Sequence, residues 1–119
     1  MRFLRQLAEK WTNWLGDRDL DLALRKHLNE QGFLGESAQF SQLRLVAVQR
    51  PGWLQVYTFT AQAKSRLNAS DQQQSLFGIV RQDERFNRME IRVFSVLGER
   101  TQLVEQWSDG LIRLRRRAN

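Results

Sequence analysis

The chain has 119 residues, of which 41% are hydrophobic and four are tryptophan, a composition typical of one folded domain rather than a disordered segment. It contains no cysteine, which excludes disulfides, thiolate catalysis and cysteine-ligated metal centres. The formal net charge of +6 is concentrated at the end of the chain: four of the 19 basic residues lie within 113–119, which leaves 15 basic against 13 acidic residues in 1–112.

Two amphipathic helices are predicted before the first strand. Apolar side chains recur every three or four positions over residues 2–15. A second helix is expected from Asp17 or Asp19 to about Gln31, because an aspartate can cap its first turn and Gly32 suits its end. The first helix also carries arginines opposite its tryptophans, so contact with a membrane surface stays open for it.

The apolar pattern then changes to the alternation typical of strands. Residues 43–63 predict two strands around a type II turn at Pro51-Gly52, and residues 64–75 predict a polar surface loop. Residues 75–81 and 88–95 predict two further strands joined by a charged turn. The last strand places three apolar side chains on one face: Met89, Ile91 and Val93.

A short C-terminal helix completes the predicted fold and ends near Gly110. Its apolar stripe consists of Leu103, Val104, Trp107 and Leu111. The predicted fold is therefore α+β, with two N-terminal helices, a four-stranded antiparallel meander and one short C-terminal helix. Residues 1–112 are expected to form a single domain and residues 113–119 a basic tail.

Catalytic signatures are missing from the sequence. The single histidine, His27, has no histidine or cysteine partner for a metal and no evident nucleophile to activate. The seven glycines form no phosphate-binding loop. We therefore expect neither an enzyme nor a metal or cofactor site, and we expect His27 to pack at the border of the second helix.

Aromatic residues on the strands suggest a binding surface. Alternation predicts that Trp53, Tyr57 and Phe59 share one face of the second strand and that Phe77 of the third strand extends it. The favoured hypothesis is a small non-catalytic protein-binding or accessory module that recognises another protein or a second copy of itself through this surface. The predicted contact residues are Trp53, Tyr57, Phe59 and Phe77, with Arg81 and Arg92 at the rim.

Two alternatives stay open. The first is weak, non-specific nucleic-acid binding by the tail, because flexible arginines neutralise phosphates without reading base edges. Its residues are Arg113, Arg115, Arg116 and Arg117. The second is a small-molecule or lipid pocket between the sheet and the N-terminal helices. No signal peptide or membrane span is evident, and a cytoplasmic location is expected for a chain without cysteine.

Overall fold

The computed structural model describes residues 18–49, 52–67 and 72–114. Within those residues the chain forms two helices and one five-stranded antiparallel sheet. The elements are α1 (Arg18–Glu30), β1 (Gln39–Val48), β2 (Leu54–Ala63), β3 (Gln74–Asp83), β4 (Arg88–Phe94), α2 (Leu97–Trp107) and β5 (Ile112–Arg113). The strand order is β4-β3-β2-β1-β5, so β1 to β4 form the predicted meander, and the α+β prediction is confirmed.

Helix α1 covers one face of the sheet with a row of leucines. Leu20, Leu24 and Leu28 are buried at 6%, 1% and 0% exposure, because side chains four positions apart lie above one another on a helix. The helix ends as predicted at Gly32, which has a φ of +92°. The Phe33 N–H donates to the Leu28 carbonyl at 2.9 Å, which is the long hydrogen bond of a Schellman motif.

Some predicted features lie outside the described residues. The helix predicted over 2–15 is one of them, and so are Arg50 and Pro51 of the predicted type II turn. Gly52 itself has a φ of +120°, a conformation that glycine adopts without strain. Residues 68–71 of the polar loop are also outside the described part of the chain.

The sheet has an apolar cluster on each side. On the α1 face, meaning the side covered by α1, the leucines pack on a floor that includes Phe59, Leu76 and Val80. The predicted alternation of β4 is confirmed there, since its three apolar side chains, Met89, Ile91 and Val93, all join this cluster. The α2 face has a smaller buried cluster around Val56 and Ile79. The predicted C-terminal stripe, Leu103, Val104, Trp107 and Leu111, packs against it.

The C-terminal part of the chain differs from the prediction in two ways. Helix α2 begins at Leu97, more than one helical turn before Leu103, the first residue of the predicted apolar stripe. After Gly110, which has a φ of +76°, the chain forms β5, and Arg113 pairs with Ala47 of β1. The Leu114 N–H also donates to the Val46 carbonyl at 2.8 Å. The predicted boundary between the domain and the tail, after residue 112, therefore falls inside β5. The apolar pattern of the sequence does not indicate this strand, because pairing with a free sheet edge requires no particular apolar spacing.

Candidate functional site

The structure separates the predicted aromatic surface into three places. Tyr57 and Phe59 lie in the core of the α1 face at 7% and 0% exposure. The Phe59 ring meets the Phe40 ring edge-on, with 5.9 Å between their centroids. The Tyr57 hydroxyl donates to the Gln55 side chain at 2.5 Å inside the protein. These two aromatic side chains are core residues and are not available to a partner.

Phe77 lies on the opposite face of the sheet from Phe59. In the β2–β3 ladder Phe59 pairs with Gly78, and Phe77 pairs with Thr60. Residues paired across a ladder share a face, so the expectation that Phe77 extends the face of Phe59 is corrected by the register. The half-buried Phe77 ring instead lies under the guanidinium of Arg100 on the α2 face, 5.5 Å from its centroid.

Trp53 is partly exposed, and its neighbours were not predicted from the sequence. The guanidinium carbon of Arg85 lies 3.3 Å from the centroid of the Trp53 ring and 4.8 Å from that of Phe86. Phe86 itself is 64% exposed. We call Trp53, Arg85 and Phe86 the tip cluster, because the β1–β2 and β3–β4 connections that carry them meet at one end of the sheet.

Local turn chemistry builds the tip cluster. The Glu84 N–H donates to the Trp53 carbonyl at 2.8 Å, which joins the two connections through the backbone. The Asp83 side chain accepts the Arg85 N–H at 3.0 Å, as in an Asx turn. Asn87 closes the turn with a φ of +50°, a conformation that asparagine tolerates better than most residues. The cluster is therefore positioned by the backbone before any partner arrives.

Comparison with protein-family models, curated protein sequences and solved structures finds no significant match.

The two predicted rim arginines lie apart from the tip cluster. Arg81 makes an ion pair with Glu90 at 2.6 Å, and its guanidinium also covers the Trp107 ring at 4.5 Å. Arg92 is exposed on β4, and its guanidinium donates to the Ile91 carbonyl at 2.8 Å. Both arginines thus contact other parts of their own chain and do not lie around the tip cluster.

Only the first of the tail arginines lies within the described residues. Arg113 belongs to β5 and makes an ion pair with Glu105 at 2.8 Å. Both side chains of that pair are about half exposed or more, so the pair contributes little to stability. Arg115, Arg116 and Arg117 lie outside the described part of the chain.

A cavity of about 290 Å³ lies between α1 and the edge strand β4, near the predicted position of a small-molecule pocket. Half of its lining residues are charged and none is phenylalanine, tyrosine or tryptophan; the lining consists of Ala23, Lys26, His27, Glu30, Met89, Glu90, Ile91 and Arg92. Burial is the main cause that lowers the pKa of His27, and the charge of Glu30 opposes this by raising it. His27 packs at the border of α1, as expected, and it also borders this cavity.

The described residues contain no group of three or more histidine, aspartate or glutamate side chains placed to hold a metal ion. In the same part of the chain, neither helix has the length and apolar character needed to cross a bilayer. The residues that sequence reasoning missed are Arg85 and Phe86. Their sequence signal is a bulky aromatic side chain inside an otherwise charged turn, next in the chain to an arginine.

Proposed function

We propose that this chain is a small non-catalytic protein-binding module whose contact surface is the tip cluster. One observation carries the proposal: Phe86 projects into solvent at 64% exposure from a turn in which Arg85 stacks on Trp53. Tryptophan and arginine are among the residues that most often dominate interface energies. A phenylalanine beside them supplies apolar area that a partner can bury.

The hydrogen bonds of the tip support this proposal energetically. Association loses affinity when loops and long side chains must be ordered on binding. Here the backbone bond between Glu84 and Trp53 and the Asx turn at Asp83 hold the connections in place beforehand. The stack of Arg85 on Trp53 contributes roughly 0.5–1 kcal/mol at an exposed site, which restrains the arginine as well.

A site-specific cross-link tests the proposal. A photo-reactive phenylalanine analogue is placed at position 86 of the full chain and irradiated in cell extract. Leu22, which is 54% exposed on α1, receives the same analogue as the matched control. We expect a discrete cross-linked protein from position 86 that Trp53→Ala removes and that position 22 does not yield. The same products from both positions, or none from position 86, would contradict the proposal.

The nucleic-acid alternative is tested by a truncation whose end point follows from the fold. The truncated chain ends after Leu114, because Arg113 pairs with β1 and Leu114 packs on the core. Removing residues 115–119 should leave the position 86 cross-link unchanged under the protein-binding proposal. A partner that is sensitive to nuclease, and is lost with residues 115–119, would favour the tail instead.

A small-molecule function is the weaker candidate for the cavity beside α1. Its volume of about 290 Å³ is at the lower end of the range for ligand pockets, roughly 300–1,000 Å³. Such pockets are mainly apolar, whereas Lys26, Glu30 and Glu90 contribute charges to this one. The lining therefore gives less support to a small apolar ligand than the tip cluster gives to a protein partner.

A further inference from the structure

A β-bulge interrupts strand β1 where it faces Phe59. Ser41 pairs with Thr60 and Arg44 pairs with Thr58, so two residues of β1 stand opposite the single residue Phe59. The first of the two, Gln42, has a φ of +55°, which is uncommon for a residue other than glycine. Backbone conformations of this kind tend to cluster at functional sites, so the bulge directs attention to the side chains around it.

The bulge brings Arg100 of α2 onto the sheet. Because the ladder is disturbed at this point, the Phe59 carbonyl accepts a hydrogen bond from the Arg100 guanidinium at 3.0 Å. The same guanidinium lies 5.5 Å from the centroid of the Phe77 ring. These contacts give Arg100 a fixed position over the α2 face.

Arg44 also lies on the α2 face of the sheet. It pairs with Thr58, whose side chain is buried at 6% exposure. The Nε atom of Arg44 is buried and has no hydrogen-bond partner among the described residues. A buried donor without a partner is destabilising, because its hydrogen bond to water is lost and not replaced.

The two arginines form an uncompensated positive site. Arg44 pairs with Thr58, and the next residue of β2 is Phe59, whose carbonyl accepts from Arg100. The charge of Arg44 is also, after burial, a cause that lowers the pKa of Arg100. Arg100 is also in the first turn of α2, where the helix dipole disfavours a cation. Within the described residues neither guanidinium makes an ion pair, whereas Arg25, Arg81, Arg85 and Arg113 each pair with a carboxylate.

We propose that Arg44 and Arg100, above Thr58 and Phe77, bind a single oxyanion group, either a carboxylate or a phosphate. Guanidinium groups match the oxygen spacing of both groups and can donate two parallel hydrogen bonds to either. An anion between the two arginines accepts hydrogen bonds from their guanidinium groups and offsets the repulsion between two like charges. We call these four residues the bulge site.

Part of the neighbouring surface is polar. Next to the bulge site, β1 to β3 carry exposed hydroxyl and amide side chains. Thr60 donates to Gln42 at 3.0 Å, and Gln62 donates to Ser75 at 2.8 Å, and both bonds are exposed. No described residue of α2 is fully buried, so the helix does not seal this side of the sheet. The bulge site is distinct from the tip cluster and does not depend on its function.

A titration of the isotope-labelled full chain tests the proposal. Sodium phosphate and, separately, sodium acetate replace sodium chloride at constant ionic strength. The Nε–Hε signals of the arginines are followed by NMR. We expect the signals of Arg44 and Arg100 to shift saturably at millimolar anion while that of the exposed Arg88 does not. A response to phosphate alone identifies a phosphate site, and a response to acetate alone a carboxylate site.

Three variants decide whether the response belongs to the bulge site. Arg44→Met should weaken anion binding at least tenfold and leave the melting temperature in chloride unchanged or higher, because it removes a buried unpaired donor and a like charge. Arg88→Met is the matched control for net charge and should bind as the unmodified chain does. Phe86→Ser should also leave anion binding unchanged. Equal weakening by both arginine variants, or no response to either anion, overturns the proposal.

Discussion

The two faces of the sheet differ in how completely they are closed. On the α1 face, a row of leucines meets apolar side chains that are almost fully excluded from water, such as Phe59 and Leu76 at 0% and 2% exposure. On the α2 face the helix has no fully buried residue, and arginines and threonines lie beside the apolar contacts. We infer that the α1 face supplies most of the free energy of unfolding and that the α2 face is the place for a polar site.

Buried polar groups show the same contrast. On the α1 face Gln55 is 1% exposed, and its side chain donates to the Gly52 carbonyl at 2.8 Å while accepting from Tyr57. Among the described residues, three side-chain atoms are buried without a hydrogen-bond partner: the Nε of Arg44 on the α2 face, the Oε1 of Gln49 after β1 and the Oγ of Ser108 after α2. Buried polar atoms of folded proteins are usually hydrogen-bonded, so each unsatisfied one calls for an explanation.

The largest expected effect compares matched truncations on the two faces. Leu76→Ala should lower the free energy of unfolding by about 2–5 kcal/mol, since Leu76 belongs to the α1-face cluster and is only 2% exposed. Leu103→Ala on α2 should cost less than half as much, because Leu103 is only half-buried. Chemical denaturation measures both free energies. Equal losses would show that the two faces contribute alike and would remove the basis of the comparison.

A smaller effect is expected from Gly78→Ala, which adds one methyl group beneath Phe59. A Cβ on Gly78 overlaps the Phe59 ring, so we expect a loss of roughly 1–3 kcal/mol in the free energy of unfolding. Gly98→Ala is the matched control, since a Cβ there meets no atom within 4 Å. The control should be neutral or slightly stabilising, because alanine favours helix over glycine.

A double variant sharpens this second prediction. Phe59→Leu removes the ring that the new methyl group overlaps, so Gly78→Ala should cost less in that background than alone. Additive losses in the double variant would mean that the backbone, not the ring contact, requires glycine at this position. The measurement is again chemical denaturation of the three variants against the unmodified chain.

The smallest expected effect is the pH dependence due to His27. Burial lowers its pKa below the ordinary value of 6.5, so the unfolded chain binds the proton first as the pH falls. Stability contributed by neutral His27 is therefore present above pH 6.5 and is lost as the pH drops through 6.5 toward the lowered pKa. Unfolding free energies measured between pH 5 and 7.5 should show this loss, and His27→Gln should abolish it.

Glu30 provides the control for the histidine. Its charge raises the pKa of His27, so Glu30→Gln should deepen the loss of stability at low pH. A chain whose stability instead rises as the pH falls below 6.5 would show that attraction to Glu30 outweighs burial. His27 would then be held as a cation beside α1 rather than as a packed neutral ring.

Features governed by neighbouring residues in the chain were predictable from the sequence. The end of α1 at Gly32 follows from a glycine placed before an apolar residue, and the alternation of Ile91 with its neighbours follows from strand geometry. The packing of Trp107 follows from helical spacing. In each case the pattern repeats over a few residues, so no distant partner is needed to interpret it.

The candidate sites were not predictable in the same way. A shift of one residue in strand register moves a side chain to the other face, and no local pattern states the register of β2 against β3. That register places Phe77 away from Phe59, and the pairing of β1 with β2 creates the bulge at Gln42. The nearness of Trp53 to Arg85 likewise depends on two separate hairpins whose connections lie at the same end of the sheet.

The sequence by itself determined the α+β class, the meander and the apolar faces of its helices and strands, because these depend on the period at which side chains repeat. Only the tertiary structure decided which aromatic residues are core, that β5 pairs with β1, and that Arg44 and Arg100 lie on one face of the sheet. Within the described residues, neither of these arginines makes an ion pair. Those outcomes depend on pairing between residues that are distant in the chain. They are therefore determined by the hydrogen bonds and the burial of the whole sheet.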